Sequence, residues 1–251
     1  MSFLHKFGIG VGTGSSREVH RSIPQTGHAR SVAGTPAIGS ARQPEIPGGS
    51  SSSRMSNGLK EFLWNLDGLG RGALLDLGPA WQTTLTFFIE RGFRVSSEDI
   101  LREWKEFLRE EEARLQSPDL ASETLDMTPA GRAARFLNSN LQYARASIDA
   151  VLMWDLLDYL EPALAKQMVA NLTEWLRPGG VVFALFHSKK PEGFQRYRVA
   201  DSTTLQIISA SVLCPAQKVY QNREIQDLFA RFRTMKSFVS RDQLRESLFI
   251  K

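Results

Sequence analysis

Ala73-Leu74-Leu75-Asp76-Leu77-Gly78-Pro79-Ala80 is the stretch that decides the fold. A short apolar run ends in an acid, then a glycine and small residues before an apolar helix. A buried parallel strand that delivers its end to the mouth of an open α/β sheet reads this way. Thr83 to Arg91 follows with helical spacing, and Gly92 fits the position just past a helix end. Phe93 to Asp99 reads as a second strand. Ile100, Leu101, Trp104, Phe107, Leu108 and Leu115 then share one face of a helix whose other face is charged.

The alternation continues. Residues 117–130 read as a loop or insertion, with a short helix from Arg132 to Phe136. Ile148 to Trp154 is a buried strand, opened by Asp149 in a structural role. A helix from near Pro162 turns Leu164, Met168, Leu172, Trp175 and Leu176 inward, and Arg177-Pro178-Gly179-Gly180 stops it. Val181 to Phe186 is almost unbroken apolar sequence, as in a strand covered on both faces. After Gln195 the pattern weakens. A helix around Ile225, Leu228, Phe229 and Phe232 precedes two strands, Thr234–Val239 and Leu244–Ile250, joined closely enough to form a hairpin. Strands separated by helices imply right-handed crossovers. The expected fold is therefore α/β, a Rossmann-like, doubly wound, mostly parallel sheet with an antiparallel terminal hairpin.

Composition bounds the rest. The chain has 251 residues, 42% of them hydrophobic, enough for one good-sized core. Six of its 31 basic residues (Lys6, Arg17, Arg21, Arg30, Arg42 and Arg54) face only Glu18 and Glu45 of the 27 acids within the first 56 positions. The remainder is balanced at 25 of each, so the net charge of +4 argues for no nucleic-acid surface on the body. Residues 1–57 are rich in Gly, Ser, Pro and Arg, and read as a disordered basic tail before an α/β domain over 58–251. His5, His20 and His28 lie in that tail with no metal-ligand spacing. Cys214 is the single cysteine, no apolar run nears the roughly 20 residues that span a bilayer, and Met1 to Phe7 lacks a signal-peptide core. A cytoplasmic protein without membrane attachment is expected.

In an open α/β sheet, ligands bind beyond the carboxyl ends of the strands. Those ends carry Asp76 and Gly78, then Glu98 and Asp99, then Trp154 and Asp155, then His187. Gly78 lets backbone approach a ligand, and the next helix offers free N–H groups. An acid about 20 positions further on can accept both ribose hydroxyls; Asp99 stands there, with Glu98 as competitor. Asp76 and Asp99 can equally cap the helices that follow them. Trp81 and Trp154 either line the pocket or belong to the core. Asp155 can face a substrate or merely make a turn. His187 can be a general base or a hydrogen-bonded structural histidine.

These segments resemble the class I S-adenosylmethionine-dependent methyltransferases. Asp76-Leu77-Gly78-Pro79-Ala80 is similar to their first motif, and Gly92 through Asp99-Ile100 to their second strand with its ribose-binding acid. Ser147 through Leu160 is similar to their fourth strand and turn, and Leu176-Arg177-Pro178-Gly179-Gly180-Val181 to the turn before their fifth. The resemblance runs in order over about residues 58–190. It implies S-adenosylmethionine as cofactor and methyl transfer to a small-molecule or protein acceptor of unidentified kind. It assigns Gly78, in one motif with Asp76 and Ala80, to the methionine end of the cofactor, Asp99 to the ribose, and Asn138 or Asn140 to the adenine. The glycine-rich motif is degenerate: Gln82 stands where the family has a third small residue, beside bulky Trp81. That departure supports a second reading, a non-catalytic scaffold of the same fold with weak or lost cofactor binding. A dinucleotide-dependent oxidoreductase is a third, opposed by the acid before the first glycine and by the Pro-Gly-Gly turn. Aligning an activated methyl donor with its acceptor needs no metal, covalent nucleophile or triad, and none is apparent. Residues 1–57, 117–130 and 189–222, which would select a substrate, hold no readable motif.

Overall fold

The computed structural model describes residues 51–116, 126–239 and 242–251. Six strands form the main sheet: β2 (Gly72–Asp76), β3 (Phe93–Ser97), β4 (Ile148–Trp154), β5 (Leu176–His187), β8 (Thr234–Val239) and β9 (Leu244–Ile250). Their order is β3-β2-β4-β5-β9-β8. The first four are parallel, while β9 runs antiparallel to both β5 and β8. The expected Rossmann-like sheet with its antiparallel terminal hairpin is the architecture of this chain.

Alternation along the strands builds two cores, one on each face. Val151, Met153, Val182, Ala184 and Phe186 face α3 (Ile100–Leu115), α4 (Pro129–Asn140), α5 (Leu156–Tyr159), α6 (Pro162–Trp175) and α7 (Asn222–Leu228). Ala150, Leu152, Trp154, Phe183 and Leu185 face α1 (Asn57–Leu66) and α2 (Gln82–Ile89). At the end of α2, Gly92 takes φ +87° and donates its N–H to the Ile89 carbonyl at 2.9 Å, the predicted helix stop. Asp149 fastens the start of β4. Its Oδ2 accepts from the Ala73 N–H at 2.7 Å, and Arg177 Nη1 spans both its carboxylate oxygens at 2.9 and 3.1 Å.

A second sheet was not legible in the sequence. β1 (Ser51–Met55), β6 (Phe194–Val199) and β7 (Thr204–Ala210) form it, in the order β1-β7-β6 with antiparallel pairs. Residues 1–50 of the expected tail lie outside the described residues, but its last stretch is corrected: Ser51–Met55 is a strand and Asn57 begins a helix. Partners remote in sequence order this serine-rich run. Arg54 reaches Asp242 and Glu246, and buried Glu246 also accepts from the Ser56 hydroxyl at 3.0 Å and the Gly58 N–H at 2.5 Å. The expected insertion lies outside the described residues over 117–125, and the short helix placed after it is longer, Pro129–Asn140. Among the described residues no helix is long and apolar enough to cross a membrane.

Candidate functional site

Parallel pairing brings the ends of β2, β3, β4 and β5 into one row, where the expected acids and histidine meet. The Asp76 side chain does not cap α2. Its Oδ1 accepts from the Gly78 N–H at 3.0 Å and from Trp154 Nε1 at 2.7 Å. Oδ2 is buried and has no hydrogen-bond partner among the described residues. Burial pushes the Asp76 pKa up to about 7, against the two hydrogen bonds from Trp154 and Gly78 that favour the charged form.

Trp154 ends β4 at φ +55°, in the left-handed region that a bulky residue rarely enters, beside a register irregularity in the β4–β5 pairing. This twist carries the indole across the strand ends. It stacks on Tyr197 of β6 with ring centres 6.1 Å apart and meets Phe183 edge-on at 6.2 Å. Gly78 lies directly beneath: a Cβ there would stand 2.8 Å from both Cδ1 and Nε1 of Trp154. The close approach that the glycine permits is made by the indole.

Asp99 occupies the N-cap position of α3 without capping it. Arg196 of β6 holds it instead, with Nη1 3.1 Å from Oδ1 and Nη2 3.3 Å from Oδ2. Glu98, the alternative ribose acid, accepts from the Tyr143 hydroxyl at 2.8 Å. β6 closes over the crevice from above, tied to α2 by the Val199 N–H donating to the buried Thr84 hydroxyl at 3.0 Å. Between Gly78, Leu101, Trp154, Arg196 and Tyr197 a cavity of only about 10 Å³ remains. Small-molecule and cofactor sites occupy about 300–1,000 Å³. An adenosyl group does not fit among these side chains as they stand.

The other assigned residues lie apart from that crevice. Ala80 is exposed on the loop before α2. Asn138 and Asn140 are exposed at the end of α4, where the Asn138 carbonyl accepts from Gln142 and Asn140 Nδ2 donates to the Phe136 carbonyl. Trp81 is half-buried with the Arg198 guanidinium 5.5 Å from its ring centre. Gln82 is exposed and bonds Thr86 one turn on.

A second group of polar residues forms where β4 and β5 end. His187 Nε2 lies 3.0 Å from Asp155 Oδ2, and the His187 N–H donates to Asp158 Oδ2 at 2.7 Å. Asp155 and Asp158 are both buried, and Tyr159 packs edge-on to the imidazole. Burial opposes a charged imidazole, but the Asp155 hydrogen bond and charge, with Asp158 and Asp242 behind, outweigh it and raise the His187 pKa. Burial also pushes Asp158 up to about 7. Asp155 thus orients His187 and leaves Nδ1 without a protein partner among the described residues. His187 also lines an open cavity of about 530 Å³.

Sequence reasoning placed Asp76, Gly78, Asp99, Trp154, Asp155 and His187 at the strand ends where they stand. It missed Arg54, Arg196 and Tyr197, all on the second sheet. The alternation in Phe194-Gln195-Arg196-Tyr197-Arg198-Val199 is the one signal that could have found β6.

No protein-family model matches the chain, and no curated protein sequence does either. Among solved structures it is similar to a S-adenosylmethionine-dependent methyltransferase from Methanosarcina mazei, at 15% identity over 72% of this chain and 93% of that one, TM-score 0.39. It is also similar to the 1,6-didemethyltoxoflavin-N1-methyltransferase of Burkholderia thailandensis, solved with 1,6-didemethyltoxoflavin and S-adenosylhomocysteine (16% identity, 78% of each chain, TM-score 0.40). A S-adenosylmethionine-dependent methyltransferase from Mesorhizobium loti matches at 12% identity over 76% and 96%, TM-score 0.42. At these values the likeness accompanies the α/β fold and carries no argument about activity.

Proposed function

We propose that this chain is a methyltransferase-like scaffold whose adenosyl grip is weak or lost. One observation carries the reading: Trp154 occupies the space above Gly78 and hydrogen-bonds the acid beneath it. Opening the crevice would expose a buried aromatic, at a cost of about 3 kcal/mol. It would also break the bond to Asp76, worth about 1 kcal/mol. Freeing Asp99 from Arg196 costs about 1 kcal/mol more, while relief of the left-handed backbone at Trp154 returns about 1 kcal/mol. The net of about 4 kcal/mol lowers apparent affinity about a thousandfold, which turns a micromolar ligand into a millimolar one.

Calorimetric titration of the full chain with S-adenosylhomocysteine tests this. Little or no binding is expected below millimolar ligand, and a Trp154→Ala/Arg196→Gln double variant is expected to gain affinity. Micromolar binding by the unaltered chain would overturn the scaffold reading. The second reading is methyl transfer from S-adenosylmethionine to a small-molecule or protein acceptor. Its support is the arrangement of Asp76, Gly78 and Asp99 at adjoining strand ends, in the order that the sequence resemblance implies. In that reading these residues would hold a group that supplies an activated methyl, and His187, oriented by Asp155, is the candidate base.

A further inference from the structure

The cavity of about 530 Å³ beside His187 lies beyond the end of β5 and is far larger than the closed crevice. Ser52, Ser53 and Arg54 of β1 line it together with His187, Lys189 and Lys190. Pro191, Ile207 and Leu244 add apolar surface, and Glu192 and Asp242 are its acids.

The charges are unequally committed. Asp242 is engaged by Arg54 Nη1 at 2.7 Å, and the Arg54 Nη2 is engaged by Glu246 at 2.6 Å. Lys189 and Lys190 are exposed and make no ion pair among the described residues. Of the lining acids, Glu192 is left to face the two lysines, while the imidazole is paired with Asp155. Gln243, another lining residue, stands at φ +64°, in the left-handed region. Two lysines without ion pairs, set beside serine hydroxyls and an apolar wall, suit a compact anion carried on an organic body.

We propose that this cavity binds a small phosphomonoester, its phosphate held by Lys189, Lys190 and His187 and its organic part against Pro191, Ile207 and Leu244. The volume exceeds what a bare phosphate fills, and the apolar wall accounts for the remainder. The proposal does not depend on the adenosyl crevice opening, because Lys189, Lys190, Pro191, Ile207 and Leu244 line this cavity and not the crevice.

Isothermal titration calorimetry of the full chain with phenyl phosphate, inorganic phosphate and benzoate tests the idea. Saturable one-site binding of phenyl phosphate is expected, tighter than either other probe. A Lys189→Ser/Lys190→Ser variant, altered only at exposed positions, should weaken it about tenfold or more. His187→Gln should weaken it as well, with Lys166→Ser, a change at an exposed lysine of α6 outside the cavity lining, as a control that leaves it unchanged. No saturation by about 10 mM overturns the proposal, as does equal affinity of the unaltered chain and the lysine variant. Equal affinity for inorganic and phenyl phosphate would reduce the site to an ion-binding surface and overturn the organic-body assignment. Tight binding of S-adenosylhomocysteine would defeat the scaffold reading and leave this result standing.

Discussion

An added methyl at Gly78 would press on the indole of Trp154 from 2.8 Å, with the Asp76 carboxylate 3.3 Å away. Neither neighbour can retreat without giving up the bond between them. Gly78→Ala is therefore expected to destabilise the fold by about 1–3 kcal/mol, read as a lower urea midpoint with unchanged slope. Asp76→Asn should act in the opposite sense. The amide keeps an acceptor for Gly78 and Trp154 and removes a charge that burial disfavours. At pH 8, where the native carboxyl is ionised, the variant should gain about 1–2 kcal/mol; at pH 5, where the native carboxyl is neutral and only the unfolded one is ionised, the gain should be smaller.

At the scale of elements, Glu246 of β9 joins β1, α1 and the main sheet through Arg54, Ser56 and the first turn of the helix. Glu246→Ala would leave a largely buried guanidinium without one of its two acids and the helix N-terminus without its carboxylate. A loss of about 3 kcal/mol or more is expected in chemical denaturation. The main sheet was legible because its signals are local: Ala73 to Leu77 and Val181 to Phe186 are apolar runs bounded by turn residues. The hairpin was legible from its short connection. The second sheet was not, since Ser51-Ser52-Ser53-Arg54 has little strand preference of its own and is ordered by β7 and by acids about 190 positions away. The site divided along the same line. Asp76, Asp99, Asp155 and His187 were found from the strands that carry them, whereas Arg196 and Tyr197 meet them only through tertiary packing. The φ of Trp154, which decides whether the crevice is open, has no local signature at all.

For the whole molecule, the shifted groups push stability in one direction across neutral pH. Asp76 and Asp158 titrate near 7 in the fold, above the ordinary aspartate value of 3.8, and His187 is raised above 6.5. Each favours the fold while protonated, so the stabilisation is fully present below the unfolded values and drains away as pH climbs through the folded ones. Asp126, Asp201 and Glu224 are lowered and shift stability only under more acidic conditions. Scanning calorimetry should give a melting temperature about 5 °C higher at pH 5 than at pH 8, and Asp76→Asn should flatten that slope. The Arg54–Glu246 clasp, which bridges 192 positions of sequence, has its own consequence for biosynthesis. Translation delivers the arginine 192 positions ahead of its acid, so β1 cannot latch until β9 has been made. Premature termination anywhere upstream of Glu246 would release a protein with that latch undone.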